Sequence, residues 1–199
     1  MSSPPRIVDV AIGLSVLGWA IAGALSNHGN RPLAVLVATT LLHVIVAILF
    51  LVRRQAVASG SLRSCLFAAP AVLVGGWVFY LSPSQWSQAA QCLFIVGSGL
   101  AIVSLAILGR CFAVLPAIRG VVLRGPYALV RHPVYLGELI MVVACLVAAQ
   151  PQWWHAAVLL VVIVAFVIRI AIEERLLMNE STYRSYCDDV RWRLVPMVW

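Results

Sequence analysis

Three observations predict an all-α integral membrane protein with about six spanning helices. Of the 199 residues, 63% are hydrophobic and 11% charged, and the mean hydropathy is +1.01. Soluble domains are about half apolar and a quarter charged. The apolar residues gather into runs at roughly 7–25, 33–52, 65–81, 88–109, 134–149 and 153–172, each near the roughly 20 residues that a spanning helix needs. The basic residues, all arginine, lie at the ends of those runs and crowd onto alternate loops. The net charge of +7 therefore reflects membrane orientation, and no nucleic-acid function is read into it.

The first run has Arg6 before it and Ala22-Gly23-Ala24 near its end, as a cleavable signal peptide would, but five more apolar runs make a plain span the simpler reading. His43 stands mid-span in the second run, where a hydrogen-bonded structural histidine is at least as well motivated as a catalytic one. The fourth run contains Gly97-Ser98-Gly99 without a preceding strand or a following acid. These are small residues for helix packing, as Gly13 and Ala101 are, and not a nucleotide loop. Arg53, Arg54 and Arg63 share the second loop, Arg110, Arg119, Arg124 and Arg131 the fourth, and Arg175, Arg184, Arg191 and Arg193 the tail. The third and fifth loops, around Ser82–Ser87 and Gln150–Gln152, carry none, and Arg31 alone lies opposite. That asymmetry predicts both termini in the cytosol, at a cell membrane if the source is prokaryotic. Cys65, Cys92, Cys111, Cys145 and Cys187 are an odd, scattered set without a CxxC pair or histidines at zinc spacing, so neither a disulfide framework nor a metal site is expected.

The stretch RGVVLRGPYALVRHPVYLGE, from Arg119 to Glu138, is the long polar interruption before the tail. Gly125-Pro126 and His132-Pro133 are turn signals, and each proline biases the residue before it away from helix. Pro133 suits the first turn of the next helix, whose unbonded N–H groups and positive dipole end favour an anion. Gln150-Pro151-Gln152 leaves little room between the last two runs, so these form a tight antiparallel hairpin. Counting outward from its tip pairs the depth of Glu138 with about residue 165 and that of Arg169 with about residue 134, which places Glu138 and Arg169 within about one turn of each other. Ionisable residues in apolar helices point to function, with a structural ion pair as the alternative. Beyond Ile172, Leu176, Tyr183, Cys187 and Val190 recur at helical spacing, predicting an amphipathic helix on the cytosolic surface, with Trp192 and Trp199 as interfacial anchors.

Taken together, the GPY, RHPxY and RxxxEE blocks, in that order across Leu108–Trp199, resemble the isoprenylcysteine carboxyl methyltransferase family. The resemblance implies an N-terminal set of transmembrane helices over 1–107 and a catalytic half over 108–199 that encloses S-adenosylmethionine without a Rossmann domain. It implies cofactor contacts from Arg119, Gly120, Val121 and Val122, from Tyr127, and from His132, Pro133, Val134 and Tyr135. Glu173 matches the family's cofactor-binding glutamate and Arg169 its substrate-binding arginine. Eukaryotic relatives commonly carry histidine where Arg119 stands.

The residues support such a pocket on their own chemistry. S-adenosylmethionine presents a sulfonium, a carboxylate and an adenosine. Glu173 suits the ribose or amino group, and Tyr127 and Tyr135 suit stacking or a cation–π contact. Arg131 with the helix N-terminus after Pro133 suits the carboxylate. Arg169 lies one turn before Glu173 on the same face, with a planar fork suited to an acceptor carboxylate; a helix-surface salt bridge is the competing reading. A carboxylate acceptor needs no general base, whereas an amine must lose a proton, for which Glu138 is the candidate base. The expected acceptor is a lipophilic carboxylate, methylated on oxygen as in isoprenylcysteine-type enzymes, that enters from the bilayer. Phospholipid amine methylation, an NADPH-dependent membrane reductase and a non-catalytic membrane protein are the alternatives.

Overall fold

The computed structural model describes residues 6–26, 31–80, 86–149 and 152–199. Among the described residues seven α-helices follow one another: α1 Arg6–Ser26, α2 Leu33–Val52, α3 Leu62–Tyr80, α4 Gln88–Leu108, α5 Pro133–Ala148, α6 Trp153–Leu177 and α7 Ser181–Asp189. The protein is an all-α integral membrane protein, in which α1, α2, α3, α4 and α6 are long and apolar enough to cross a bilayer. The sixth expected span is shorter. With 16 residues, α5 extends about 24 Å against a hydrocarbon core of about 30 Å. Pro133 opens it, and the irregular backbone just before is covered by protein, since Tyr127, Val130 and His132 are all buried.

The sequence pattern showed no strands, yet two short ones form, β1 Ala58–Ser59 and β2 Ala117–Ile118. They pair antiparallel, Ala58 opposite Ile118 and Ser59 opposite Ala117. This bridge ties the loop after α2 to the loop after α4. The backbone bond from Arg54 N–H to the Arg110 carbonyl, 2.8 Å, does the same. The arginine-rich loops thus meet at one end of the bundle.

Packing runs α1 on α2, α2 on α4, α4 on α5, with α3 against α6 and α5. Glycines decide the closest contacts. A Cβ at Gly97 would lie 2.8 Å from the Gly137 carbonyl oxygen, and one at Gly137 would lie 2.6 Å from the Gly97 carbonyl oxygen, so α4 and α5 touch backbone to backbone. A Cβ at Gly13 would meet the Ala47 carbonyl oxygen at 3.0 Å, which draws α1 onto α2 in the same way, whereas Gly99 faces open space. The main apolar core joins Phe94, Val142, Val162, Phe166 and Ile170 with Tyr135 and Leu194.

The hairpin tip at residues 150 and 151 lies outside the described residues. Below it the antiparallel register is as counted from the sequence: Arg169 Nε donates to the Tyr135 hydroxyl at 2.7 Å, where counting placed residue 134 beside Arg169. The C-terminal helix is shorter than the pattern suggested. α6 continues to Leu177, and α7 has nine residues. Tyr183, Tyr186 and Val190 form its buried face against Val121, Leu177 and Cys187. The chain then folds back: the Arg193 and Leu194 N–H groups donate to the Trp199 carbonyl, and Trp199 packs against the main core, so this tryptophan serves internal packing. Trp192, 36% exposed, stays at the surface.

Candidate functional site

Adjacent residues on α6 project about 100° apart, and this separates Glu173 from Glu174. Phe166, Ile170 and Glu174 follow at intervals of four along one buried stripe, whereas Arg169 and Glu173 form the neighbouring row. Two polar clusters result, one on each side of the end of α6.

In the first cluster, the Tyr135 hydroxyl donates to Glu173 Oε2 at 2.6 Å and accepts from Arg169 Nε at 2.7 Å. The Arg169 guanidinium also donates to the Ala68 carbonyl at 3.3 Å and the Val114 carbonyl at 2.5 Å, and its carbon stands 5.1 Å from the Tyr135 ring centre. Three of its five N–H donors are therefore held by the protein. Glu138 follows Tyr135 by three residues on α5, within Coulombic reach of both Arg169 and Glu173. Among the described residues its carboxylate makes no hydrogen bond or ion pair. The cluster thus combines one guanidinium with two carboxylates, Glu173 and Glu138, both partly exposed. This formal charge of minus one suits a cationic guest.

In the second cluster Glu174, 5% exposed, is held by four side chains. Oε1 accepts from Arg131 Nη1 at 3.1 Å and the Tyr183 hydroxyl at 3.3 Å, and lies 3.3 Å from His132 Nε2; Oε2 accepts from Arg193 Nε at 2.7 Å. Arg131 also donates to the carbonyls of Val190, Cys187 and Arg191. The backbone joins in, with Arg131 N–H bonded to the Trp192 carbonyl and His132 N–H to the Arg193 carbonyl, both at 2.9 Å. Glu174 therefore fastens the 119–138 loop, the end of α6 and the tail to one another. Burial, aided by the neighbouring carboxylate, raises the Tyr183 phenol well above its usual range, and burial likewise raises Tyr186, so both remain neutral donors. Tyr186 donates to the Tyr127 carbonyl at 2.5 Å.

The residues expected to form one pocket divide among three places. Tyr135, Glu138, Arg169 and Glu173 come together. Tyr127 borders them: its phenol donates to the Ser104 carbonyl at 3.3 Å and is raised by burial and then by the Glu173 charge. His132 stacks on Tyr135, with ring centres 5.6 Å apart and 19° between planes, and so bridges the two clusters. Arg131 is engaged with Glu174 and three carbonyls, which leaves its guanidinium committed to the fold. The first turn of α5 still offers the N–H groups of Val134 and Tyr135, which have no helical acceptor. The side chain of Val134 packs in the core with Leu49, Leu105 and Phe112, and Pro133 is fully buried. Arg119 turns away, donating to the Arg54 carbonyl beside Arg53 and Asp9. Gly120 follows with φ of +128°, a conformation that favours glycine, and a Cβ there would meet Cys111 Sγ at 2.9 Å. Val121 packs on α7, and Val122 is half-buried beside it in sequence.

Sequence reasoning missed Glu174 with its partners Arg193 and Tyr183, and Tyr186, which donates to the Tyr127 carbonyl. A signal was present in the four-residue spacing Phe166–Ile170–Glu174, which carries an apolar stripe onto a carboxylate that then requires buried partners.

Residues 86–184 match the family model described as phospholipid methyltransferase. The match covers α4, the loop, α5, α6 and the first part of α7, just under half of the chain, and stops short of Arg193. This half is similar to membrane methyltransferases that act on lipid-like substrates. No curated protein matches the chain.

Proposed function

We propose that this protein is a membrane methyltransferase that uses S-adenosylmethionine to methylate an amine on a lipid headgroup, with Glu138 as the base. The observation that carries this reading is Glu138 itself, a carboxylate in an apolar helix without a hydrogen-bond partner among the described residues, beside an arginine whose donors are largely taken. S-adenosylmethionine, when bound, supplies an electrophilic methyl group on a sulfonium cation. The minus-one charge of the Tyr135–Glu138–Arg169–Glu173 cluster fits such a cation, and the aromatic faces of Tyr127 and Tyr135 add to the fit. Glu173 would hold the cofactor's ribose or amino group, and the Val134 and Tyr135 N–H groups its carboxylate.

An ammonium is not a nucleophile until it loses a proton. Glu138 can take that proton at a carboxylate oxygen and so free the nitrogen lone pair. Arg169, held by Tyr135 and two carbonyls, positions the hydroxyl that orients Glu173. A bound acceptor that excluded water would strengthen each of these charge interactions. The concentration of arginines at the loop end of the bundle supports placing this site, and both termini, at the cytosolic face.

A second reading rests on Arg169. Two of its N–H groups have no partner among the described residues, and a fork of this kind could orient a carboxylate acceptor for O-methylation, as in isoprenylcysteine-type enzymes. One assay separates the two. Detergent-purified protein with labelled methyl donor is offered phosphatidylethanolamine or a lipophilic carboxylic acid. An acid- and base-stable methylamine product that disappears in Glu138→Gln supports the amine reading. A base-labile methyl ester supports the carboxylate reading. Folded protein that neither binds S-adenosylhomocysteine nor methylates either acceptor would sink both, and NADPH binding would then revive the reductase alternative.

A further inference from the structure

We propose that the seam between α1 and α2 binds one anionic phospholipid, with its phosphate at the arginines that close the loop end of the seam and an acyl chain in the groove beneath. The site is separated from Glu138 and Arg169 by α2 and α4, and the proposal does not depend on methyl transfer.

Four arginines gather at this end, and two of them, Arg53 and Arg119, act on the Asp9 carboxylate. Arg53 forms a salt bridge to Asp9, with side chains only 7% and 13% exposed, and lies over the Phe50 ring at 4.5 Å. Arg119, 6% exposed, donates to the Arg54 carbonyl and stands within Coulombic reach of both Arg53 and Asp9. The buried Nε of Arg53 and that of Arg119 each have no acceptor among the described residues. The exposed rim is completed by Arg54 and Arg110, joined by the backbone bond between them and by the bond from Arg110 Nε to the Val52 carbonyl at 3.3 Å. Buried positive charge in excess of its carboxylate is costly until an anion joins it, and a phosphate matches the planar donor fork of arginine.

The groove supplies the second half of the argument. It holds about 460 Å³ between Val8, Ala11, Ile12, Val16 and Trp19 of α1 and His43 of α2, within the range of about 300–1,000 Å³ common for small-molecule sites. It begins at Val8, next to Asp9, and follows α1 for about 16 Å into the bilayer. Two of its polar groups bond within their own helices: the Ser15 hydroxyl donates to the Ala11 carbonyl at 2.8 Å, and His43 Nδ1 donates to the Thr39 carbonyl at 2.7 Å. The wall is thus suited to a hydrocarbon chain, and the cationic rim above it to a lipid phosphate.

The test is native mass spectrometry of the full-length protein released from micelles that contain dioleoyl phosphatidylglycerol or dioleoyl phosphatidylcholine at equal mole fraction. One retained phosphatidylglycerol is expected in about tenfold preference. The preference should vanish in Arg54→Gln/Arg110→Gln, and retention itself should vanish in Ala11→Phe, which fills the groove. All three positions are exposed, and thermal unfolding confirms that the variants fold. Equal retention of both lipids, or a preference indifferent to the arginine substitutions, would overturn the proposal. So would displacement by millimolar inorganic phosphate combined with indifference to Ala11→Phe, since that pattern describes a free-phosphate site.

Discussion

Glu173 and Glu174 are neighbours in the chain and differ in what their surroundings leave undone. Glu174 has four side-chain partners, two of them arginines, and ties three segments together. Among the described residues Glu173 has one tyrosine hydroxyl, and close to it Glu138 has no hydrogen-bond partner. The four-fold contacts of Glu174 suit a carboxylate that holds the fold, and the function proposed above assigns ligand contacts to the other two. Sequence adjacency conceals the difference because it arises from the 100° between successive helical residues.

Four substitutions would break or sharpen this contrast. Glu174→Ala should have the largest effect, about 3–5 kcal/mol of stability, because Arg131 and Arg193 would lose their buried partner; chemical denaturation of the purified protein measures it, and a loss below 1 kcal/mol would mean that the cluster is not structural. Next is Glu138→Gln, expected to lower turnover about 10²–10⁴-fold while S-adenosylhomocysteine affinity and stability hold. Affinity lost in parallel with turnover would reassign Glu138 to cofactor binding. Glu173→Gln should weaken S-adenosylhomocysteine about 10–100-fold, the scale of one charge-assisted hydrogen bond, with stability nearly unchanged, as calorimetry can decide. Arg193→Gln should be the mildest. Its side chain is 40% exposed, so a loss of about 1 kcal/mol is expected, and a loss comparable to that of Glu174→Ala would show that the tail depends on this one arm.

The helices were legible because their determinant is local: a run of apolar residues forms a span wherever it occurs. The hairpin register was legible too, since Pro151 and the short link leave few choices, and it placed Arg169 beside Tyr135 to within one residue. What escaped depended on partners distant in sequence. Arg131 looks like a free anion binder in isolation, but Val190, Cys187 and Arg191 return from the tail to occupy it. The pairing of Ala58 with Ile118 spans 60 positions and leaves no periodic trace over two residues. Arg119 belongs to the resemblance-based cofactor set, yet its direction depends on where the loop after α2 ends, which no pattern near Arg119 encodes.

The contact between Gly97 and Gly137 has a mechanical consequence. Two backbones in van der Waals contact work as a detent: sliding either helix by a residue would drive a neighbouring side chain into the other's peptide plane. The helix that carries Tyr135 and Glu138 is thereby latched to α4 and can neither ratchet nor roll. Any breathing that admits a bulky guest must come from the opposite wall, where α6 and the folded-back tail are held by polar bonds that can open and re-form.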